Sequence, residues 1–236
     1  DIEEKFHARM RDYLNEDGIA VTHPGCYNEG LTDKVWLPEE YVLHMWGTAK
    51  ILRSLAEDFR RTGNPQRKAQ ARKTMLAMKK LFVWGMGERG EYCYPPDAMN
   101  PLTLDGKPLG NQNWRGQPLP CIQPILTYAL LCDDPEAMAF ARACCVSLIE
   151  HKSPAEVEIK FGGEFHAHTH STMHLMWGVI EYGTASGERE FVEYGKNVFD
   201  YMLGKGAGSG WFPAGPDSCN ETCAISDMIS CACALG

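Results

Sequence analysis

The chain has 236 residues, of which 44% are hydrophobic and 23% charged, so it is long and apolar enough to fold around a packed core. Its net charge of −8, without a strong basic patch, argues against nucleic acids and anionic membranes as partners. No apolar run approaches the roughly 20 residues that a membrane-spanning helix requires.

Helical hairpins recur along the chain. Residues 37–59 carry apolar side chains at a three-four spacing, and a Gly-Asn-Pro turn separates them from a second helical segment over 66–86. The same pairing returns over 120–151 and again over 169–206. We predict the turns between paired helices at 62–65, 132–135 and 184–188, and a further helix that begins near Asn220.

The repeat of helix, tight turn, helix and longer loop predicts an all-α fold, an (α/α) toroid of helical hairpins. A ring of six hairpins at this spacing needs about 300 residues or more, which predicts an incomplete (α/α)6 barrel. We treat residues 1–236 as a single α/α-toroid domain and expect a fragment of a longer chain. Strand signals are weak, and the sequence predicts a short hairpin arm at residues 155–163 alone.

The ten cysteines favour free thiols over a disulfide framework, which is typical of short secreted chains. Cys144 and Cys145 are adjacent, and Cys231 and Cys233 are two positions apart, spacings that do not suit an intramolecular bridge. We therefore expect a reducing compartment, the cytoplasm, and thiols that mostly act as small core side chains.

The long loops carry residues that are typical of a carbohydrate site. Loops on one face of a rigid helical ring commonly hold binding residues, and aromatic faces, amides and imidazoles suit a sugar. An ordinary set of polar, turn-rich loops is the alternative. The predicted substrate contacts, expected to converge on one end of the ring, are Trp36, Trp114, Gln117, His168, His170 and Trp211.

A histidine cluster lies before and within the fifth predicted helix. It consists of Glu164, His166, His168, His170 and His174. Alternate positions share a face on an extended segment, and His170 and His174 share a face once the helix has begun. Neutral imidazoles suit a metal ion, a polar substrate pocket or a structural role, and these interpretations stay open.

The segment near residue 220 concentrates thiols and carboxylates. Asn220 is the predicted N-cap, which places Glu221 and Cys223 in the first turn, where the helix dipole favours a carboxylate and a thiolate. Such a pair is half of a zinc site. Cys219, Cys223, Asp227 and Cys231 form a stripe at spacings of four, and we assign Cys231 and Cys233 to helix packing.

Four motifs occur in order along the chain, HTHST, TASGERE, GAGSG and ETCA. In the same order they carry a resemblance to the β-L-arabinofuranosidase family (glycoside hydrolase family 127 and its relatives), which covers approximately residues 110–236. The resemblance implies an (α/α)6 barrel that hydrolyses glycosidic bonds. It maps two zinc ligands of the family onto Glu221 and Cys223, and a sugar-binding histidine onto His168, with His170 where the family has Asn.

Two parts of the family's site have no counterpart in this sequence. The family's further cysteine ligands, one of which is the nucleophile, lie beyond this chain. The loop that should carry the acid/base glutamate has Asp217 as its one carboxylate between Gly206 and Cys219. The catalytic residues therefore stay unassigned at this stage.

The sequence thus predicts a carbohydrate-active enzyme, a glycoside hydrolase with zinc as cofactor and a small-molecule or oligosaccharide substrate. A sugar epimerase or isomerase on a helical toroid is one alternative, because histidines there move protons beside a carbonyl. A non-catalytic scaffold that binds a sugar or a protein is another, since fold does not determine function. Metal content discriminates between the hydrolase and the epimerase or isomerase. The sequence leaves open whether the chain forms a homo-oligomer.

Overall fold

The computed structural model describes residues 13–22, 42–96, 102–107, 121–150, 169–213 and 220–236, together with Ile2, Lys5 and Arg9. Within these ranges the regular structure is mostly helical, as predicted. The seven helices are α1 (Met45–Thr62), α2 (Pro65–Leu81), α3 (Ile122–Cys132), α4 (Pro135–Glu150), α5 (Thr169–Ser186), α6 (Arg189–Leu203) and α7 (Thr222–Leu235). The strands β1 (Val21–Thr22), β2 (Val42–Leu43), β3 (Val83–Gly87) and β4 (Gly90–Tyr94) form two antiparallel pairs.

The three predicted turns are confirmed, and each has a local cause. Gly63 ends α1 in the left-handed conformation with φ 67°, and the Asn64 side chain accepts a hydrogen bond from the first turn of α2. Asp133 is also left-handed, with φ 53°, and Asp134 caps α4 by accepting backbone N–H groups. Gly187, with φ 76°, separates α5 from α6.

The prediction of a helix as far as residue 86 is wrong. Helix α2 ends at Leu81, and β3 and β4 form an antiparallel hairpin instead. The reason is tertiary packing, because the Trp84 ring lies 5.6 Å from the Phe140 ring of α4 and Cys93 is fully buried. The hairpin arm predicted over 155–163 lies outside the described residues.

Alternate helices form two layers. Helices α1, α3, α5 and α7 pack successively in a row, and α2, α4 and α6 each pack against the helix that precedes them. We call the first set the inner row. The core lies between the layers, and its large side chains, each at most 2% exposed, include Leu52, Tyr128, Phe140 and Phe191. Among the described residues, no helix combines the length and apolar character needed to cross a membrane.

The cysteines divide between the core and the surface. None of the eight described cysteines forms a disulfide. Cys144 and Cys145 are buried, as predicted, and so is Cys231. The assignment of Cys233 to helix packing is wrong, since this side chain is exposed. Two positions along a helix correspond to a rotation of about 200°, so Cys231 and Cys233 lie on opposite faces of α7.

Glycine allows the inner helices to approach closely. A Cβ atom on Gly178 of α5 would lie 2.9 Å from the backbone nitrogen of Gln123 and 3.0 Å from the side chain of Ile122, at the beginning of α3. These distances are shorter than ordinary van der Waals contact. The spacing of α3 and α5 therefore depends on the absence of a side chain at this position.

We expect the Gly178→Ala variant to lose about 1–2 kcal/mol of unfolding free energy, because overpacking against a neighbouring backbone outweighs the gain in helix propensity. Urea denaturation followed by circular dichroism measures the change. The control is Gly208→Ala, where the added methyl group meets nothing within 4 Å. A Gly178→Ala protein as stable as the wild type would show that α3 and α5 are not packed this closely.

Candidate functional site

The N-terminal halves of three inner helices, α1, α5 and α7, meet at one end of the row. The ring of Trp46, in the first turn of α1, lies 6.2 Å from the ring of His170, in the first turn of α5. His170 Nδ1 in turn hydrogen-bonds Asp227 Oδ2 of α7. Lys50 of α1 interacts electrostatically with Asp227 and with Cys121, the residue before α3. The N-terminal halves of α1, α5 and α7 therefore lie together at one end of the row, whereas α3 begins beside the middle of α5.

One buried carboxylate organises this end of the molecule. Asp227 is 6% exposed, and each of its oxygens bonds one imidazole. His170 Nδ1 bonds Oδ2, and His174 Nδ1 lies 3.2 Å from Oδ1. An ionised carboxylate only accepts, so both imidazoles donate from Nδ1. The predicted shared face of His170 and His174 is confirmed, and their common partner is on α7.

The charges of this cluster support each other. Burial alone would raise the pKa of Asp227, but the hydrogen bonds from His170 and His174 outweigh it and hold the pKa below the ordinary 3.8. The hydrogen bond to Asp227 raises the pKa of His170 above the ordinary 6.5, against the opposing effect of burial. At any pH between 3.8 and 6.5, Asp227 is therefore ionised and His170 is protonated.

These two pKa shifts make the stability of the contact between α5 and α7 depend on pH. The raised pKa means that His170 contributes its full stabilisation below pH 6.5 and loses it as the pH rises through the folded-state pKa. Asp227 contributes above pH 3.8 and loses its contribution as the pH falls through its lowered folded-state pKa. The contact between α5 and α7 is therefore strongest in mildly acidic solution.

His174 is the more deeply buried of the two histidines. Its ring is T-shaped to that of Trp177, with the centroids 5.4 Å apart, and the residue is 7% exposed. Because Nδ1 donates to Asp227, Nε2 is the ring atom that remains for another partner. Within the described residues this buried atom has no hydrogen-bond partner.

Glu221 and Cys223 lie beside the cluster. The N-cap is Glu221 with φ −120° and ψ 134°, one residue later than the predicted Asn220, and Glu221 makes no side-chain capping bond. The Cys223 thiol donates to Glu221 Oε2 over 3.2 Å. The charge of Glu221 also contributes to the raised pKa of His170, so the Glu221–Cys223 pair and the histidines share one electrostatic environment.

The protonation of Cys223 differs from the expectation of a thiolate. Burial raises the pKa of this thiol, and the hydrogen bond to Glu221 and its negative charge raise it further. The dipole of α7 does not overcome the adjacent carboxylate. Without a cation between them, the pair therefore holds a proton.

The donor atoms of this pair fit half of a zinc site. A sulfur and a carboxylate oxygen 3.2 Å apart are close enough to bind one ion, and both are ordinary zinc ligands. Across the described ranges, no group of three or more His, Cys, Asp and Glu side chains is arranged to hold a metal. The two further ligands of a four-coordinate site would come from other residues.

The structure places four of the eight predicted site residues. His170, Glu221 and Cys223 come together at the N-terminal end of the inner row. Trp211 lies in the segment after α6 and is 42% exposed. The backbone carbonyl oxygen of its neighbour Phe212 accepts a hydrogen bond of 3.3 Å from the backbone N–H of Glu221. The remaining four, Trp36, Trp114, Gln117 and His168, lie outside the described residues.

Sequence reasoning missed the central role of Asp227. The spacing of four grouped this residue with Cys223 and Cys231 in a stripe that suggested packing. The available signal was its chemistry, because a carboxylate on the apolar face of a helix needs a partner when it is buried. The partners were not identifiable from the sequence, since His170 and Asp227 are 57 positions apart.

No family model matches the chain, and no curated protein or solved structure is significantly similar to it. The chemistry of the site itself therefore carries the functional argument.

We expect the Asp227→Asn variant to lower the pKa of His170 to 6.5 or below, because the amide removes the charge that favours the imidazolium. Titration of the histidine ring protons by NMR measures the pKa. Glu221→Gln is the matched control and should lower the pKa less, since the charge of Glu221 raises the pKa of His170 less than Asp227 does. An unchanged His170 pKa in Asp227→Asn would contradict the shared-carboxylate geometry.

Proposed function

We propose that this chain belongs to a carbohydrate-active enzyme, a glycoside hydrolase built on an (α/α) toroid, whose site lies at the N-terminal end of the inner row. One observation carries the proposal: His170 and Asp227 lie beside Glu221 and Cys223, although the two helices concerned begin 53 residues apart. The two layers of alternate helices are the arrangement that a toroid repeats.

The described groups suit a sugar. Trp46 offers an aromatic ring beside the His170 imidazole, and its indole N–H is buried without a partner among the described residues. A hydroxyl oxygen of a sugar would accept from that N–H. The predicted contacts Trp36, Trp114, Gln117 and His168 precede the inner helices in the sequence, so we expect their side chains at the same end.

His170 is our candidate for the proton donor. Glycoside cleavage requires an acid that protonates the leaving oxygen, and the loop before Cys219 contains no glutamate. The pKa of His170 is raised by Asp227, so the ring holds its proton closer to neutral pH. Asp227 also orients the ring, because its Oδ2 bonds Nδ1.

Glu221 and Cys223 would hold the zinc ion. When bound, zinc would keep the Cys223 sulfur deprotonated, since a metal cation replaces the shared proton. The role of the protein residues is to keep the two donor atoms adjacent at the beginning of α7. We assign no described residue as the nucleophile of the reaction.

A sugar epimerase or isomerase is the second candidate, and the pairing of two histidines on Asp227 favours it. Such enzymes move a proton between two positions, which a pair of imidazoles can do. This reaction gives the Glu221–Cys223 pair no role. The two candidates therefore differ in their need for zinc and in their products.

Elemental analysis tests the metal. We expect about one zinc ion per chain in the full-length protein, as a single four-ligand site requires. Cys223→Ala should lose the ion, because a ligand is missing, whereas Cys231→Ala should retain it, because Cys231 is buried and its thiol donates to the backbone oxygen of Met173. A wild type without zinc, or equal loss in both variants, would exclude the zinc-dependent mechanism.

Kinetics with two leaving groups test the role of His170. We expect His170→Gln to lower kcat about 100-fold or more on an alkyl β-L-arabinofuranoside, and much less on the 4-nitrophenyl glycoside, whose leaving group needs no proton. Cys231→Ala serves as the folding control. Equal loss on both substrates would remove His170 from the acid role. An isomerised free sugar, identified by NMR, would instead favour the second candidate.

A further inference from the structure

A groove of about 550 Å³ lies along the inner row, between α1, α3, α5 and α7. Its polar lining includes Arg53, Glu57, Gln123, Thr127, Trp177 and Glu181. The groove adjoins the histidine cluster, because Trp177 packs against His174 with 5.4 Å between the ring centroids. His170, His174, Trp177 and Glu181 follow the spacing of one helical face, so the cluster and the groove are continuous along α5.

A hydrogen-bond network fixes the groove wall. Glu181 Oε1 accepts from the indole nitrogen of Trp177 over 2.7 Å, and its Oε2 accepts from Gln123 Nε2 over 3.3 Å. Gln123 Nε2 also donates to the hydroxyl of Thr127 over 2.9 Å. Because a carboxylate only accepts, the NH₂ group of Gln123 must face Glu181. The amide and the indole are therefore held in one orientation before any ligand binds.

This orientation leaves a buried acceptor. Gln123 is 4% exposed, and its Oε1 has no hydrogen-bond partner among the described residues. Buried polar atoms in proteins are almost always hydrogen-bonded, so this acceptor indicates a ligand that brings a donor.

The charges of the groove indicate a neutral ligand. Arg53 contributes one positive charge, with its guanidinium 5.4 Å from the centre of the Trp177 ring, whereas Glu57 and Glu181 contribute two negative charges. The lining is therefore net negative, which disfavours phosphorylated or acidic sugars. Hydroxyl groups match the hydrogen-bonding groups of the groove, because each hydroxyl can donate to Gln123 Oε1 and accept from Arg53.

We propose that the groove is a second saccharide subsite, which binds a neutral sugar unit linked to the one at the histidine cluster. This inference rests on the proposed carbohydrate function and extends it, because it makes the substrate a disaccharide or longer. From His170 to Glu181 the face of α5 extends about 16 Å, at 1.5 Å per residue, which exceeds the length of one sugar unit.

Cys233 provides a local test, since it lines the groove and is exposed, whereas Cys223 is half-buried at the other end. The full-length protein is first screened on an array of neutral oligosaccharides. The best binder and its monosaccharides are then tested for protection of Cys233 from N-ethylmaleimide, read by peptide mass spectrometry. We expect labelling to slow about tenfold at an oligosaccharide concentration ten times Kd. The monosaccharides and glucose 6-phosphate should protect much less.

Two arginine variants supply the matched pair. Arg53→Ala should weaken oligosaccharide binding about tenfold or more, the loss expected for one charge-assisted hydrogen bond. Arg189→Ala, on α6 and paired with Glu193 rather than with a groove residue, should bind as the wild type does. Absence of binding to every sugar on the array, unprotected Cys233, or equal affinity in the two variants would each overturn the subsite.

His170→Gln separates the subsite from the proposed hydrolysis. This variant should keep Cys233 protected at saturating oligosaccharide, because Cys233 lies in the groove, while its hydrolysis falls. Retained hydrolysis in His170→Gln with Cys233 still protected would refute the role of His170 and leave the subsite standing. Lost hydrolysis in that variant, with Cys233 unprotected in the wild type, would refute the subsite alone.

Discussion

The carboxylate that His170 and His174 share is the contact on which this end of the molecule depends. A buried aspartate is costly unless it is paired, and Asp227 meets this condition only if α7 lies against α5 in one register. The same pairing raises the pKa of His170 and brings Glu221 close enough to contribute to it. Helix packing and the chemistry of the site are therefore set by one group of atoms.

The thiols illustrate how position controls chemistry in this protein. Cys93 and Cys144 lie with their sulfur atoms 3.5 Å apart in the core, and burial raises the pKa of Cys144 well above its ordinary value. Such thiols are poor nucleophiles and poor ligands. Cys223 differs because it is half-buried at a helix N-terminus beside a carboxylate. The buried cysteines thus serve packing in the core, and Cys223 is the candidate site thiol at the beginning of α7.

On the proposed function, the site and the groove together would bind an extended neutral substrate. Charged and titratable groups gather at the helix N-termini, where the dipoles favour negative charge. Further along α5 the wall consists of an indole, an amide and a carboxylate that restrain one another. A sugar chain would meet proton-transfer groups at one end and orienting groups at the other, which is the division that glycoside cleavage requires.

The sequence by itself predicted seven helical segments, the three tight turns and the adjacency of Glu221 and Cys223, because periodicity, glycine, proline and capping residues act over a few positions. It did not predict that the first helix begins at Met45 rather than near Pro38, because residues 42–43 pair as strand β2. Only the tertiary structure decided that residues 83–94 form a hairpin, since its packing on Phe140 competes with helix propensity. It also decided that Cys231 is buried and Cys233 exposed, because the answer depends on which face of α7 meets α5. The partnership of Asp227 with His170 joins positions 57 residues apart, and local pattern carries no information about which distant helix lies alongside.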